Sequence, residues 1–347
     1  MEIVDLRSDT VTKPTPEMRA AMAAAEVGDD VLGEDPTINR LQQLAAEKMG
    51  KEAGLFVPSG TMGNLAAILA HCQRGDEAIM GNLGHTFLFE AGGAAALGGV
   101  HPNPLQNQPD GSLRLKDIEE AIRTSDSHFP VSRLIILENT HNRCGGVPLT
   151  VEYTWQVAKV ARENGLRLHL DGARIFNAAA ALKVSAGELA EPADSVTFCL
   201  SKGLCAPVGS VLCGSFEFIQ RAHRMRKQLG GGMRQAGILA AAGIIALEQM
   251  VDRLVEDHRR ARMLASGLAR IPGLRLDTEV PSTNMVFSTL EIEEARSNMA
   301  AVIADRLFRE YHIKVGVVGA HRFRMVTHYW IDDEAIERTI QAFSRVL

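Results

Sequence analysis

Several signatures of common protein classes are missing from this sequence. It carries 37 Lys and Arg against 42 Asp and Glu, a formal net charge of −5, and has no long basic block. The electrostatic footprint of a nucleic-acid-binding domain is therefore absent. The longest apolar run, residues 236–247, contains Gly237 and Gly243. It is shorter than the ~20 residues a membrane helix needs and reads as a buried helix. The start, Met1-Glu2-Ile3-Val4-Asp5, lacks the basic and apolar regions of a secretory signal. Cys72, Cys144, Cys199, Cys205 and Cys213 are odd in number and scattered, so reduced thiols and a cytoplasmic location are expected, with no metal site. No Walker A loop or dinucleotide fingerprint is present.

What is present is an ordinary globular composition, 347 residues with 46% hydrophobic and 23% charged. That length can bury a large core and suggests two domains. Short apolar runs at 55–58, 77–80, 134–137, 168–170, 196–200 and 211–213 read as strands. Helical patterns at 16–25, 37–49 and 65–70, and one capped by Thr150, fall between them. Such alternation predicts an α/β fold with a mostly parallel sheet covered on both faces. From 236 towards 270 the pattern is that of one long helix with weak interruptions. Beyond it come a strand at 284–287, a helix through Met299, Ile303 and Leu307, alternating runs at Ile313/Val315/Val317 and Phe323/Met325/Thr327, and a last helix. The expected division is an N-terminal arm and large domain over 1–247 and a small α+β domain over 248–347.

The chemistry centres on residues 166–209. Leu168-His169-Leu170 ends at Asp171, and Val196-Thr197-Phe198-Cys199-Leu200 ends at Ser201-Lys202. In an open α/β sheet, ligands bind beyond the carboxyl ends of the strands, so an Asp and a Lys would meet in one crevice. That pair suits pyridoxal phosphate, with Lys as Schiff-base amine and Asp holding the pyridine nitrogen protonated. Taken alone, the two residues are equally a surface Lys and a helix-capping Asp. Ser59-Gly60-Thr61 joins a strand to a helix, the arrangement of an anion site, or of a plain capped helix. His85 follows a strand end, where its ring would stack on a planar cofactor. His128 lies in a loop. Arg234 follows three glycines and suits a phosphate or a linker. Arg324 suits a carboxylate or plain exposure, and Ser8 a ligand contact or a turn.

Together these pieces resemble the low-specificity L-threonine aldolases of the fold type I, aspartate-aminotransferase-like pyridoxal phosphate enzymes. The resemblance covers nearly the whole chain. It rests on Asp5-Leu6-Arg7-Ser8-Asp9-Thr10, Ser59-Gly60-Thr61, Phe89-Glu90-Ala91-Gly92-Gly93, Glu138-Asn139-Thr140-His141-Asn142, His169-Leu170-Asp171-Gly172-Ala173-Arg174, Leu200-Ser201-Lys202-Gly203 and Gly230-Gly231-Gly232-Met233-Arg234-Gln235. It implies that Lys202 carries the Schiff base, Asp171 pairs with the pyridine nitrogen and His85 stacks on the ring. Gly60 and Thr61 would hold the phosphate, with Ser201 and Arg174 in the cofactor set. Arg234 would reach that phosphate from a neighbouring subunit of a homodimer or homotetramer. Ser8, Arg174 and Arg324 would hold the substrate carboxylate, with His85 and His128 near its hydroxyl. The implied reaction is reversible retro-aldol cleavage of L-threonine or L-allo-threonine, a β-hydroxy amino acid, to glycine and acetaldehyde. β-Elimination on the same cofactor and a non-catalytic relative are the alternatives.

Overall fold

A computed structural model of the protein describes residues 2–291 and 298–347. Thirteen strands lie among them. The first, β1 (Val4–Asp5), is followed by β2 (Ala53–Val57), β3 (Asp76–Gly81), β4 (His101–Leu105), β5 (Val131–Glu138), β6 (Arg167–Asp171), β7 (Ser195–Cys199) and β8 (Ser210–Gly214). The last five are β9 (Leu274–Leu276), β10 (Met285–Leu290), β11 (Ile313–Lys314), β12 (Gly316–Gly319) and β13 (Arg322–Val326). The chain divides into two compact units, Lys13–Val251 and a second made of Met1–Thr12 with Asp252–Leu347.

The larger unit is built on a seven-stranded sheet in the order β2-β8-β7-β6-β5-β3-β4. The pairs β3–β4, β3–β5, β5–β6 and β6–β7 are parallel, and β8 runs against both β7 and β2. Strands β3, β7 and β8 are buried along their whole length, as expected where helices cover both faces. The expected mostly parallel α/β architecture is therefore present. The sequence pattern missed β4, whose His-Pro-Asn-Pro-Leu stretch breaks the apolar run. Its two prolines are tolerated because β4 pairs only with β3, at the edge.

The smaller unit contains a four-stranded antiparallel sheet, β12-β13-β10-β9, and the parallel pair β1–β11. Phe323 and Phe343 meet edge to face at 5.5 Å in its core. Residues 1–12 were expected with the large domain. They belong instead to this unit, because Val4 and Asp5 pair with Ile313 and Lys314. The run Ile313/Val315/Val317 is two short strands in different sheets rather than one. The long helical pattern is likewise divided. Gly237–Ile245 passes into a wider π-helical turn (Ala246–Met250), and a new helix runs over Leu254–Leu268. Among the described residues no helix is long and apolar enough to cross a membrane.

One glycine closes the loop between β7 and β8. Leu200 N donates to Gly209 O at 3.0 Å, with Gly209 at φ +98°. A Cβ there would lie 2.4 Å from the Phe56 ring. Gly209→Ala is expected to destabilise the protein by about 1–3 kcal/mol, through forced left-handed backbone and overpacking together. Chemical denaturation checks this, and an unchanged midpoint would mean that the loop has another way to close.

Candidate active site

The carboxyl ends of β5, β6 and β7 lie side by side, because three neighbouring parallel strands finish together. Asn139 N donates to Asp171 O at 2.8 Å, and Gly172 N to Thr197 O at 2.7 Å. The loop after β7 carries Ser201 and Lys202 and is tied back on itself. Cys205 N donates to Lys202 O at 2.9 Å and Ala206 N to Leu200 O at 3.1 Å. Arg174 is buried at the start of the helix Ile175–Leu182, its amide facing Asn139 O at 3.4 Å.

The helix Gly60–His71 begins beside these strands. Ser59 Oγ accepts from Met62 N at 3.2 Å, which caps one of the first amides. The N–H groups of Gly60 and Thr61 lie ahead of the intrahelical ladder, where the positive helix end favours an anion. A Cβ on Gly60 would sit 2.9 Å from Cys199 Sγ, so the absence of a side chain lets the helix start against the strand that leads to Lys202. In the glycine run before Arg234, Gly230 has open space beside it at φ +80°, whereas Gly231 is closely packed. A Cβ on Gly231 would fall 2.1 Å from Met62 Sδ. Arg226 is buried in the same region, bonded to Phe56 O at 2.8 Å and paired with Asp30 at 2.9 Å.

Behind the strand ends is a buried acidic pair. Asp171 accepts from Ala173 N at 3.2 Å and from Asn64 Nδ2 at 2.9 Å. The same Asn64 Nδ2 donates to Glu90 Oε1 at 2.9 Å, which also faces His85 Nδ1 at 2.9 Å. Burial and the neighbouring Asp171 charge push the Glu90 carboxyl upward, opposed by its bonds to His85 and Asn64. The bond to Glu90 is the leading influence on His85 and raises its pKa, against burial and the Lys202 charge. Asp171 and Lys202 are thus both within electrostatic reach of His85. His85, Glu90 and Asp171 offer atoms within 4.8 Å of one another, and they are knit by donated hydrogens. With Nδ1–H given to Glu90, the free Nε2 of a neutral His85 is a proton acceptor. Glu90 was visible in the sequence only as part of a motif. Nothing in its local pattern marked it as the partner of His85.

The donor set fits pyridoxal phosphate. An amine and a buried carboxylate stand on adjacent strand ends, with a helix N-terminus and an imidazole nearby.

Two further residues of the larger unit, His128 and Arg234, have acidic partners of their own outside this cluster. His128 is exposed in the turn before β5 and bonded through Nδ1 to Asp126 at 2.6 Å. It precedes the amino end of a strand of 8 residues, which spans ~26 Å, whereas the cluster lies at the carboxyl end. Within one chain His128 therefore lies away from His85. Arg234 is exposed and paired with Asp29 at 2.7 Å. Ser8 and Arg324 belong to the smaller unit. Ser8 Oγ caps the short turn Asp9–Val11, and Arg324 lies on β13 between the buried Phe323 and Met325.

Glu90→Gln keeps the shape of the partner but removes its charge. The His85 ring is then expected to take up its proton at lower pH than in the parent protein, since the carboxylate favours the charged imidazolium. An NMR titration of the imidazole shifts reads this directly, and an unchanged or higher midpoint would refute the pairing.

Comparison with known proteins agrees with this geometry. A family model described as beta-eliminating lyase matches residues 5–293. The chain is 49% identical over 346 residues to a probable low-specificity L-threonine aldolase 2 of Arabidopsis thaliana, covering 99% of this chain and 97% of that one. It is 47% identical over 334 residues to the low specificity L-threonine aldolase of Escherichia coli K12, covering 96% of each. In structure it superposes on a Leishmania major threonine aldolase with a TM-score of 0.83 at 22% identity, over 99% of this chain and 100% of that one, a likeness of fold. The chain therefore belongs to the beta-eliminating lyase family and, within it, to the low-specificity L-threonine aldolases.

Proposed function

We propose that this protein is a pyridoxal 5'-phosphate-dependent aldolase that reversibly cleaves L-threonine and L-allo-threonine to glycine and acetaldehyde. The observation that carries this is the convergence of Lys202, Asp171 and the Glu90-bonded His85 at the carboxyl ends of parallel strands. The bound cofactor supplies a sink for the electron pair released at Cα. Lys202 Nζ is the amine that attaches it, and Asp171 holds a proton on its pyridine nitrogen. Gly60 and Thr61 meet its phosphate, with Ser201 beside Lys202 and the Arg174 guanidinium completing the set. Arg174 also meets the substrate carboxylate. Ser8 and Arg324 are assigned to that carboxylate on family resemblance. His85 Nε2 takes the β-hydroxyl proton as the Cα–Cβ bond breaks and the aldehyde leaves. A proton returned to Cα gives glycine. A general base of this kind contributes roughly 10²–10⁴-fold in rate.

The assembly that suits these residues is a homodimer or homotetramer with shared sites. Arg234 then serves a neighbouring phosphate in exchange for its Asp29 partner, and a second copy supplies His128. Five cysteines that form no disulfide suit the cytoplasm. The family description favours one competing reading, β-elimination, in which the proton is lost from Cα instead.

The test is product identity. Acetaldehyde and glycine in equal amounts are expected from threonine, whereas a keto acid and ammonia would establish elimination. Lys202→Ala is expected to abolish turnover, and near-normal activity in that variant would remove the assignment. His85→Asn is expected to lower kcat by roughly 10²–10⁴-fold, read by coupled reduction of the aldehyde.

A further inference from the structure

Asn64 and His71 are seven residues apart on one helix and face the same way. His169 and Asp171 share one face of β6, and Ser195 and Thr197 the matching face of β7, in register. The two periodicities bring a line of polar side chains together under the helix. His71 Nε2 lies 2.8 Å from Ser195 Oγ, and Ser195 Oγ 2.8 Å from His169 Nδ1. His169 Nε2 lies 3.1 Å from Asn64 Oδ1, and Asn64 Nδ2 lies 2.9 Å from both Asp171 and Glu90.

Hydrogen counting fixes the direction of this line. Two carboxylate oxygens accept, so both hydrogens of the Asn64 amide nitrogen are spent on them. Asn64 Oδ1 can then only accept, and His169 Nε2 must carry a hydrogen. Burial pushes the His169 ring down to about 3, so it is neutral and its Nδ1 is bare. Ser195 therefore donates to Nδ1 and has a lone pair left for His71 Nε2–H. The His71 ring is also pushed down to about 3, by burial and then by Arg167 and Arg221. Every hydrogen in the line points towards the two acids, and such alignment strengthens each bond.

We propose that Asn64 is a positioning residue that holds the Asp171 and Glu90 carboxyl groups apart by giving each one of its two amide hydrogens, its amide kept in that orientation by the one-way hydrogen-bond line from His71 through Ser195 and His169. This rests on the proposed function only in what Asp171 then holds. Without the Asn64 donors each of the two buried carboxyl groups loses a hydrogen-bond partner and the spacer between them. An Asp171 carboxyl no longer fixed in place meets the pyridine nitrogen less well, and cofactor affinity falls.

The experiment is NMR of the holoenzyme with ¹⁵N-labelled histidine. His169 and His71 are expected to be neutral with hydrogen on Nε2. Hydrogen on Nδ1 of His169 would overturn the proposal, because Asn64 would then turn its oxygen to the acids. Asn64→Leu, with the same branching and the same number of side-chain heavy atoms, is expected to weaken pyridoxal phosphate binding at least tenfold. Ser195→Ala is expected to weaken it less and to release the fixed His169 tautomer, whereas a merely structural serine would lower only the melting temperature. Unchanged cofactor affinity in folded Asn64→Leu would also overturn it. Absence of any cofactor band in the parent protein would instead remove the proposed function, and the ring-nitrogen result is read independently of that.

Discussion

Strands β3, β5, β6 and β7 run in one direction, so their carboxyl ends share one edge of the sheet. A parallel strand cannot be reached by a tight hairpin and needs a long crossover. The crossovers here are the helices that cover the sheet, and each strand end then hands its next residue to the same edge. Asp171, the turn carrying Lys202, and the buried Arg174 are neighbours for that reason alone. The reversal of β8 matters equally. It returns the chain from Lys202 through Gly209 into a fully buried strand, so the lysine loop is anchored at both ends.

Placing two carboxylates in a buried site is electrostatically costly unless donors compensate. The donors come from opposite sides. Ala173 N and Asn64 Nδ2 serve Asp171, while Asn64 Nδ2 and His85 Nδ1 serve Glu90. One amide is shared, so the two acids form one unit rather than two independent residues. His85 gains a raised pKa and a defined ring orientation from the same unit. The site's base and its electron-sink partner thus draw on a single hydrogen-bond cluster.

The phosphate side is organised by close packing. Gly60 permits the helix start to meet Cys199, and Gly231 permits the loop before Arg234 to meet Met62 on that helix. The buried Arg226–Asp30 pair fastens the loop holding Asp29, whose neighbour Asp30 also bonds through its amide to Arg234 O at 3.1 Å. The same rigid surround therefore carries the helix N-terminus and the exposed arginine.

The amino-acid sequence by itself determined the strand and helix alternation, the mostly parallel sheet, and the positions of Asp171, Lys202, His85 and Gly60 at element ends. Those features are written in local periodicity and in short polar breaks after apolar runs, which neighbouring residues specify. It did not reveal β4, because two prolines hide an edge strand that only its pairing with β3 supports. It did not place residues 1–12, because β1 gains its partner β11 from more than three hundred residues away along the chain. Nor did it show that Glu90 serves His85, that Asn64 spans both acids, or that His128 lies at the far end of its strand. Those depend on which faces of distant elements meet, which is decided by strand order and helix packing in three dimensions rather than by any local pattern.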